Sequence, residues 1–422
     1  MDIISNYGTI LIIVAGIFGF LMAIGIGAND VANAMGTSVG SKALTVKQAI
    51  IIAMIFEFAG AYLAGGEVTD TIRKGVIETS YFTATPEILI YGMMSALLAA
   101  GTWLLLASYM GWPVSTTHSI IGAIIGFACV SVGPQAVDWH SVQGIVGSWL
   151  ITPAISGLFA YLIFISAQRL IFDTENPLKN AKRYAPIYMF ITMMVIALVT
   201  IKKGLTHVGI NLDGTETFFV SLALSLMIMI FGYIYINKKY ADDSAVDNNG
   251  FAGVERVFSL LMVVTACAMA FAHGSNDVAN AIGPLSAVVS TIENMGDIAA
   301  KSSIAWWILP LGGIGIVVGL ATMGHKVMAT VGTGITELTP SRGFAAQLAT
   351  ASTVVLASGT GLPISTTQTL VGAVLGVGFA RGIAALNLGV IRNIVASWII
   401  TLPAGALLAI IFFYGMRATF GV

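Results

Sequence analysis

Long apolar runs recur along this chain at residues 9–28, 46–64, 88–110, 141–167, 185–201, 217–236, 256–273, 303–323, 343–360 and 388–414, with shorter ones at 119–132 and 369–380. A helix needs roughly 17–25 apolar residues to cross a bilayer. These lengths are wrong for barrel strands, and a lipid-exposed backbone must satisfy its own hydrogen bonds, so the pattern predicts about ten to twelve helical segments. The expected fold class is an all-α polytopic membrane protein.

Composition agrees: 57% of the 422 residues are apolar and only 9% charged, where a soluble domain carries about 25% charge. Mean hydropathy is +0.91. Asp2 is the only charged residue ahead of the first apolar run, so that run lacks the basic start of a signal peptide and reads as a mature segment. Cys129 and Cys267 have no metal-ligand spacing and read as small packing residues. A net charge of −1 without a basic tract gives no footprint for nucleic acid.

The polar interruptions repeat. Residues 27–36, GANDVANAMG, answer GSNDVANAIGP at 274–284; PVSTTHSIIGAIIG at 113–126 answers PISTTQTLVGAVLG at 363–376; SWLITPA at 148–154 answers SWIITLPA at 397–404. Order is kept and spacing nearly so. The chain is therefore a duplicated half, membrane repeat 1 at 1–170 and repeat 2 at 251–422, joined across 171–250 by two further spans and a polar central loop. Duplicated halves mark many secondary transporters, whose sites form at the midplane where discontinuous helices meet. An odd number of crossings between matched segments inverts the repeats, and inverted repeats are the expectation.

An ionised Asp at membrane depth costs about 2.5–3.5 kcal/mol even on the lenient insertion scale, which makes Asp30 and Asp277 site candidates. Asn29 and Asn33 flank the first, Asn276 and Asn280 the second. Gly27 and Gly274 just upstream permit a break in each helix. Freed carbonyls with Asn and Asp oxygens suit a hard cation such as Na⁺. The bland alternative is helix capping, but six identical residues at matched positions of two repeats favour function.

Ser115, Thr116 and Thr117, like Ser365, Thr366 and Thr367, follow a Pro and precede a Gly-punctuated apolar run. Each reads as a helix N-terminus, with unsatisfied N–H groups, a positive dipole end and added hydroxyls: an anion site. The hydroxyls stand as binding groups, with no nucleophile and base arrangement, so enzyme chemistry is not expected. No intramembrane Lys or Arg run neutralises the carboxylates, and mobile cations are left to do so. Carrying a divalent anion inward against 100 mV costs about 4.6 kcal/mol, at about 2.3 per charge; two co-transported cations would cancel it.

Together the two NDVANA segments, the two Pro-x-Ser-Thr-Thr segments and Glu255-Arg256-Val257-Phe258 resemble the inorganic phosphate transporter (PiT) family, over essentially the whole chain. The resemblance implies a usually dimeric, inverted-repeat transporter of inorganic phosphate coupled to Na⁺ or H⁺. It implies phosphate contacts from Asp30, Asn33, Ser115–Thr117, Asp277, Asn280 and Ser365–Thr367. Na⁺ would lie near Asn29, Asp30, Glu57, Thr116, Asn276, Asp277, Gln347 and Thr366, with His118, His273 and Gln368 behind them. Glu57 matches an embedded Glu of the family's first half. Gln347 stands where the second half usually has Glu and is set against Glu57, and Gln368 stands where it usually has His and is set against His118. Both replacements remove a titratable group yet keep a carbonyl oxygen, which favours Na⁺ as coupling ion with no further cofactor. H⁺ coupling, and another tetrahedral oxyanion such as sulfate, remain the alternatives. The short loops suit a prokaryotic inner membrane.

Overall fold

The computed structural model describes residues 2–204, 212–240, 251–298, 304–328, 336–382 and 386–420; residues 241–250 of the polar central loop lie outside them. Repeat 1 comprises α1 (Asp2–Gly40), α2 (Val46–Ala64), the short α3 (Gly66–Lys74), α4 (Pro86–Tyr109), α5 (Thr116–Ser131) and α6 (Trp139–Ala167). Two linking helices follow, α7 (Pro177–Val199) and α8 (Gly214–Lys239). Repeat 2 comprises α9 (Phe251–Asp277), α10 (Ala279–Glu293), α11 (Ile308–Thr322), α12 (Pro340–Gly359), α13 (Thr366–Arg381) and α14 (Leu388–Phe420). Among the described residues, a single isolated bridge between Ile77 and Val137 is the only β pairing.

Among the described residues, eight helices are long and apolar enough to span a membrane, with α9 and α10 counted as one length, and α5 and α11 are shorter apolar helices. This is an integral, multi-pass membrane protein. At 16 residues, α5 and α13 are each about 24 Å long, short of the roughly 30 Å hydrocarbon core. They are half-helices that begin inside the bundle. α4 lies at the centre, 72% of its apolar window buried, whereas α8 and α14 bury only 22% of theirs and turn the remainder outward. Leu407, Ile411 and Tyr414 of α14 and Met227 and Phe231 of α8 are accordingly exposed apolar side chains, as expected of a surface wetted by lipid.

Glycines set the closest crossings, and they come in matched pairs. A Cβ at Gly27 would sit 1.9 Å from the Ile316 carbonyl oxygen, and one at Gly319 would sit 2.0 Å from that of Ile24. At the matched crossing, Gly274 would meet the Glu57 oxygen at 2.1 Å and Gly60 that of Phe271 at 2.1 Å. Thus α1 of repeat 1 touches α11 of repeat 2 as α9 of repeat 2 touches α2 of repeat 1. The α5–α14 and α6–α13 crossings repeat the relation: Gly122 lies against Leu402, and Gly372 against Pro153. Each of these contacts has its reciprocal, in which i meets j′ and j meets i′.

Two sequence expectations change. The first motif does not break its helix: α1 runs continuously from Asp2 to Gly40 through NDVANA. In the second, α9 stops at Asp277 and α10 starts at Ala279, with Val278 between them. Gly27 and Gly274 serve backbone approach in both copies. The second correction concerns Glu57. Its matched residue in repeat 2 is Ile316, because each carbonyl meets the matched glycine, whereas Gln347 belongs to α12, whose repeat 1 counterpart is α4.

Candidate ion-binding site

Ser115 and Ser365 start their helices by local means. Each side chain accepts the N–H three residues on, from His118 at 3.3 Å and Gln368 at 3.2 Å, the ordinary N-cap that Pro-x-Ser-Thr-Thr encodes. Both serine hydroxyls therefore cap. The threonines reach further.

Within each repeat, the first Thr meets the buried Asp. Thr116 Oγ1 donates to Asp30 Oδ2, and Thr366 Oγ1 donates to Asp277 Oδ2 at 2.7 Å. Between repeats, Asn33 Nδ2 donates to Thr367 Oγ1 at 2.8 Å and to Thr366 Oγ1 at 3.2 Å, and Asn280 Nδ2 donates to Thr117 Oγ1 at 3.4 Å. The second threonines cross as well: Thr117 Oγ1 donates to Ile364 O at 2.9 Å, and Thr367 Oγ1 to Val114 O at 3.1 Å. The two half-helix N-termini thus face one another, held by side chains of both repeats.

Around this centre the polar groups outnumber their partners. Asp30 Oδ1, Asp277 Oδ1 and Asn280 Oδ1 are buried with no hydrogen-bond partner. Buried polar atoms are normally paired, so these three oxygens leave acceptor capacity at the centre. One donor atom each from Asp30, His273 and Asp277 fall within 4.8 Å of one another, a cluster able to hold a cation. No Lys or Arg side chain is buried among the described residues, so the negative charge has no fixed counter-charge of that kind.

The second repeat adds a feature that the first lacks. His273 is fully buried, with Nε2 2.9 Å from Asp277 Oδ2 and Nδ1 3.3 Å from Glu57 Oε1. The matched positions are Ile26 and Ile316, both fully buried. A polar line from α2 through α9 to the site on one side is replaced by two isoleucines on the other.

Gln347 lies beside the first motif with its amide already occupied. Oε1 accepts from Ser38 Oγ at 3.1 Å and Thr265 Oγ1 at 3.0 Å, and Nε2 donates to Ala34 O at 2.6 Å. It ties α12 to α1 and α9. His118 packs on Trp149 with ring centroids 3.8 Å apart and planes tilted by 35°, its Nδ1 3.4 Å from Trp398 O, and Gln368 is its matched residue in repeat 2.

Asn29 and Asn276 point to serines that the sequence reading passed over, Ser108 at 3.2 Å and Ser358 at 2.9 Å. A signal for them was present. Leu106-Ala107-Ser108 and Leu356-Ala357-Ser358 are matched triplets, each five residues ahead of its Pro.

Comparison with known proteins places this arrangement. Residues 26–409 match the model of a family described as the phosphate transporter family. A Haemophilus influenzae protein, designated a phosphate permease on provisional grounds, is 66% identical over 421 residues, covering 100% of both chains. An Arabidopsis thaliana protein named inorganic phosphate transporter 2-1, chloroplastic, is 42% identical over 96% of this chain and 71% of its own. Among solved structures, one titled the sodium-dependent phosphate transporter superposes with a TM-score of 0.90 at 42% identity, over 97% of this chain and 99% of that one.

Proposed function

This chain belongs to the phosphate transporter family, and from that premise we propose that it is a symporter carrying inorganic phosphate together with Na⁺ across a prokaryotic inner membrane. It is a transporter, not an enzyme. One observation carries the coupling: buried carboxylates with free oxygens, Asp30 Oδ1 and Asp277 Oδ1, stand beside two facing helix N-termini, and among the described residues no buried Lys or Arg balances them. Cations from solution balance them instead.

In this reading phosphate lies between the N-termini of α5 and α13. Backbone N–H groups donate to it, with the Asn33 and Asn280 amides alongside, and the hydroxyls of Thr116, Thr117, Thr366 and Thr367 turn to it from Asp30, Ile364 O, Asp277 and Val114 O, since each has a single proton to give. Na⁺ takes the oxygens of Asp30 and Asp277, with Glu57 behind. A hard cation of this size prefers such oxygen ligands. Each site uses parts of both repeats, so opening between the repeats would dismantle both together, which is what strict coupling requires. Inverted orientation of the repeats and a dimeric assembly belong to the same proposal. The sodium-dependent name of the 42%-identical structure supports the choice of ion.

A second reading has its own observation. The buried Glu57–His273–Asp277 line offers groups that hold protons, which favours H⁺ as the coupling ion. Phosphate uptake into proteoliposomes separates the two. An inward Na⁺ gradient at equal pH drives accumulation if Na⁺ is coupled. Uptake that ignores Na⁺ and follows an imposed pH gradient rejects it, and competition by sulfate tests the anion assignment.

A further inference from the structure

The loops leading into the two half-helices look alike, Gly111-Trp112-Pro113-Val114-Ser115 and Gly361-Leu362-Pro363-Ile364-Ser365. Each turns at a glycine of positive φ, +69° at Gly111 and +72° at Gly361. They are fastened differently. Asn29 grips the first with both ends of its amide: Nδ2 donates to Trp112 O at 2.9 Å, and Oδ1 accepts from Val114 N at 3.1 Å. These two backbone groups flank Pro113, which has no N–H of its own, so the side-chain amide acts there as a peptide group would. The matched Asn276 donates to Ser358 Oγ. The second loop is reached from outside its repeat, by Thr71 Oγ1 of α3 donating to Gly361 O at 2.7 Å.

The grip continues across the molecule. Val114, whose N–H binds Asn29, presents its carbonyl to Thr367 Oγ1. A single residue of the first loop therefore joins Asn29 of repeat 1 to the facing helix start of repeat 2.

We propose that Asn29 is a positioning residue that fixes the Trp112–Val114 loop, and through Val114 the spacing of the two phosphate-binding helix starts, and that it takes no part in binding the coupling cation. The inference rests on the phosphate-symport reading above. It separates the two copies of the motif: Asn29 and Asn276 are the same letter in different work. It also assigns Asn29 differently from the cation role its motif suggests.

The test uses full-length wild type, Asn29→Ala, Asn29→Asp, Asn276→Ala and Ser108→Ala in proteoliposomes. Phosphate KM, and Na⁺ half-saturation at saturating phosphate, are measured together with hydrogen exchange of the 110–115 amides. Misplacing binding groups by a fraction of an ångström to one ångström is costly, so Asn29→Ala should raise phosphate KM about tenfold or more. Its Na⁺ half-saturation should stay at the wild-type value, and the Val114 amide should exchange faster. Asn29→Asp keeps an acceptor for Val114 and loses the donor to Trp112, so its KM should fall between. Asn276→Ala should leave Val114 exchange at the wild-type rate. Should Asn29→Ala not fold, Ser108→Ala removes only one bond to the same amide and should speed Val114 exchange by a smaller factor. A higher Na⁺ half-saturation with unchanged phosphate KM would overturn the proposal and make Asn29 a cation ligand. Wild-type KM and wild-type Val114 exchange in Asn29→Ala would overturn it too. A wild type indifferent to Na⁺ instead rejects the coupling proposed above, and KM with Val114 exchange still decides the role of Asn29.

Discussion

His273 Nε2 stands 2.9 Å from Asp277 Oδ2 one helical turn away, and its other nitrogen faces Glu57. At the matched positions of the other motif stand Ile26 and Ile316. The paired motifs are identical, but only one repeat backs its carboxylate with a second polar layer. Removing one partner of a buried charged group strands the other, at about 3–5 kcal/mol. His273→Ala should therefore lower the thermal unfolding temperature in detergent strongly and remove phosphate uptake. Ile26→Val deletes one methyl group from an apolar contact, about 0.5–1.5 kcal/mol, and should keep uptake. Equal effects of the two changes would mean that the polar layer has no special part.

Asp30→Asn and Asp277→Asn should each abolish concentrative phosphate uptake. Asn is nearly isosteric and still accepts a bond from Thr116 or Thr366, so the loss isolates the negative charge from the packing. Uptake against a gradient at the wild-type rate in either variant would remove that residue from the site.

The hydroxyls of the Ser-Thr-Thr segments divide by role. Ser115→Ala and Ser365→Ala remove N-caps and should each cost about 0.5–2 kcal/mol of stability, with a small change in phosphate KM. Thr117→Val and Thr367→Val remove bonds that cross between the repeats. Those two should weaken phosphate binding more than they lower the unfolding temperature. Calorimetric unfolding and uptake kinetics on the same preparations show whether the order holds.

Gly27→Ala and Gly274→Ala place a methyl group about 2 Å from a carbonyl oxygen of the neighbouring helix. Backbone cannot retreat as a flexible side chain does. Each should cost at least about 1–3 kcal/mol, the usual penalty of overpacking, and reduce the yield of folded protein. Gly144 has open space where a Cβ would go, and Gly144→Ala should be neutral or slightly stabilising within its helix. Melting temperatures of the three purified variants test the contrast.

The amino-acid sequence determines a good deal here, and the reason is that the deciding information is local or repeated. Apolar run lengths determine the membrane class. Pro-x-Ser-Thr-Thr determines two helix starts, because Ser reaches only three residues on to its own backbone. Copying a polar motif into both halves marks the site. The tertiary structure alone decides how the copies interlock. Asn33 belongs with Thr367, 334 residues away, and no local periodicity writes such a contact. The mate of Glu57 is Ile316 because two glycines let backbones touch, and the spacing between these helices differs from that between the motifs, so counting along the chain misses it. Gly27 reads equally well as a helix break or as a close approach until the neighbouring helix is in place. Asn29 and Asn276 are indistinguishable as letters. They part company only where one loop meets an amide and the other meets Thr71, since a side chain's role is set by the groups within about 3 Å of it.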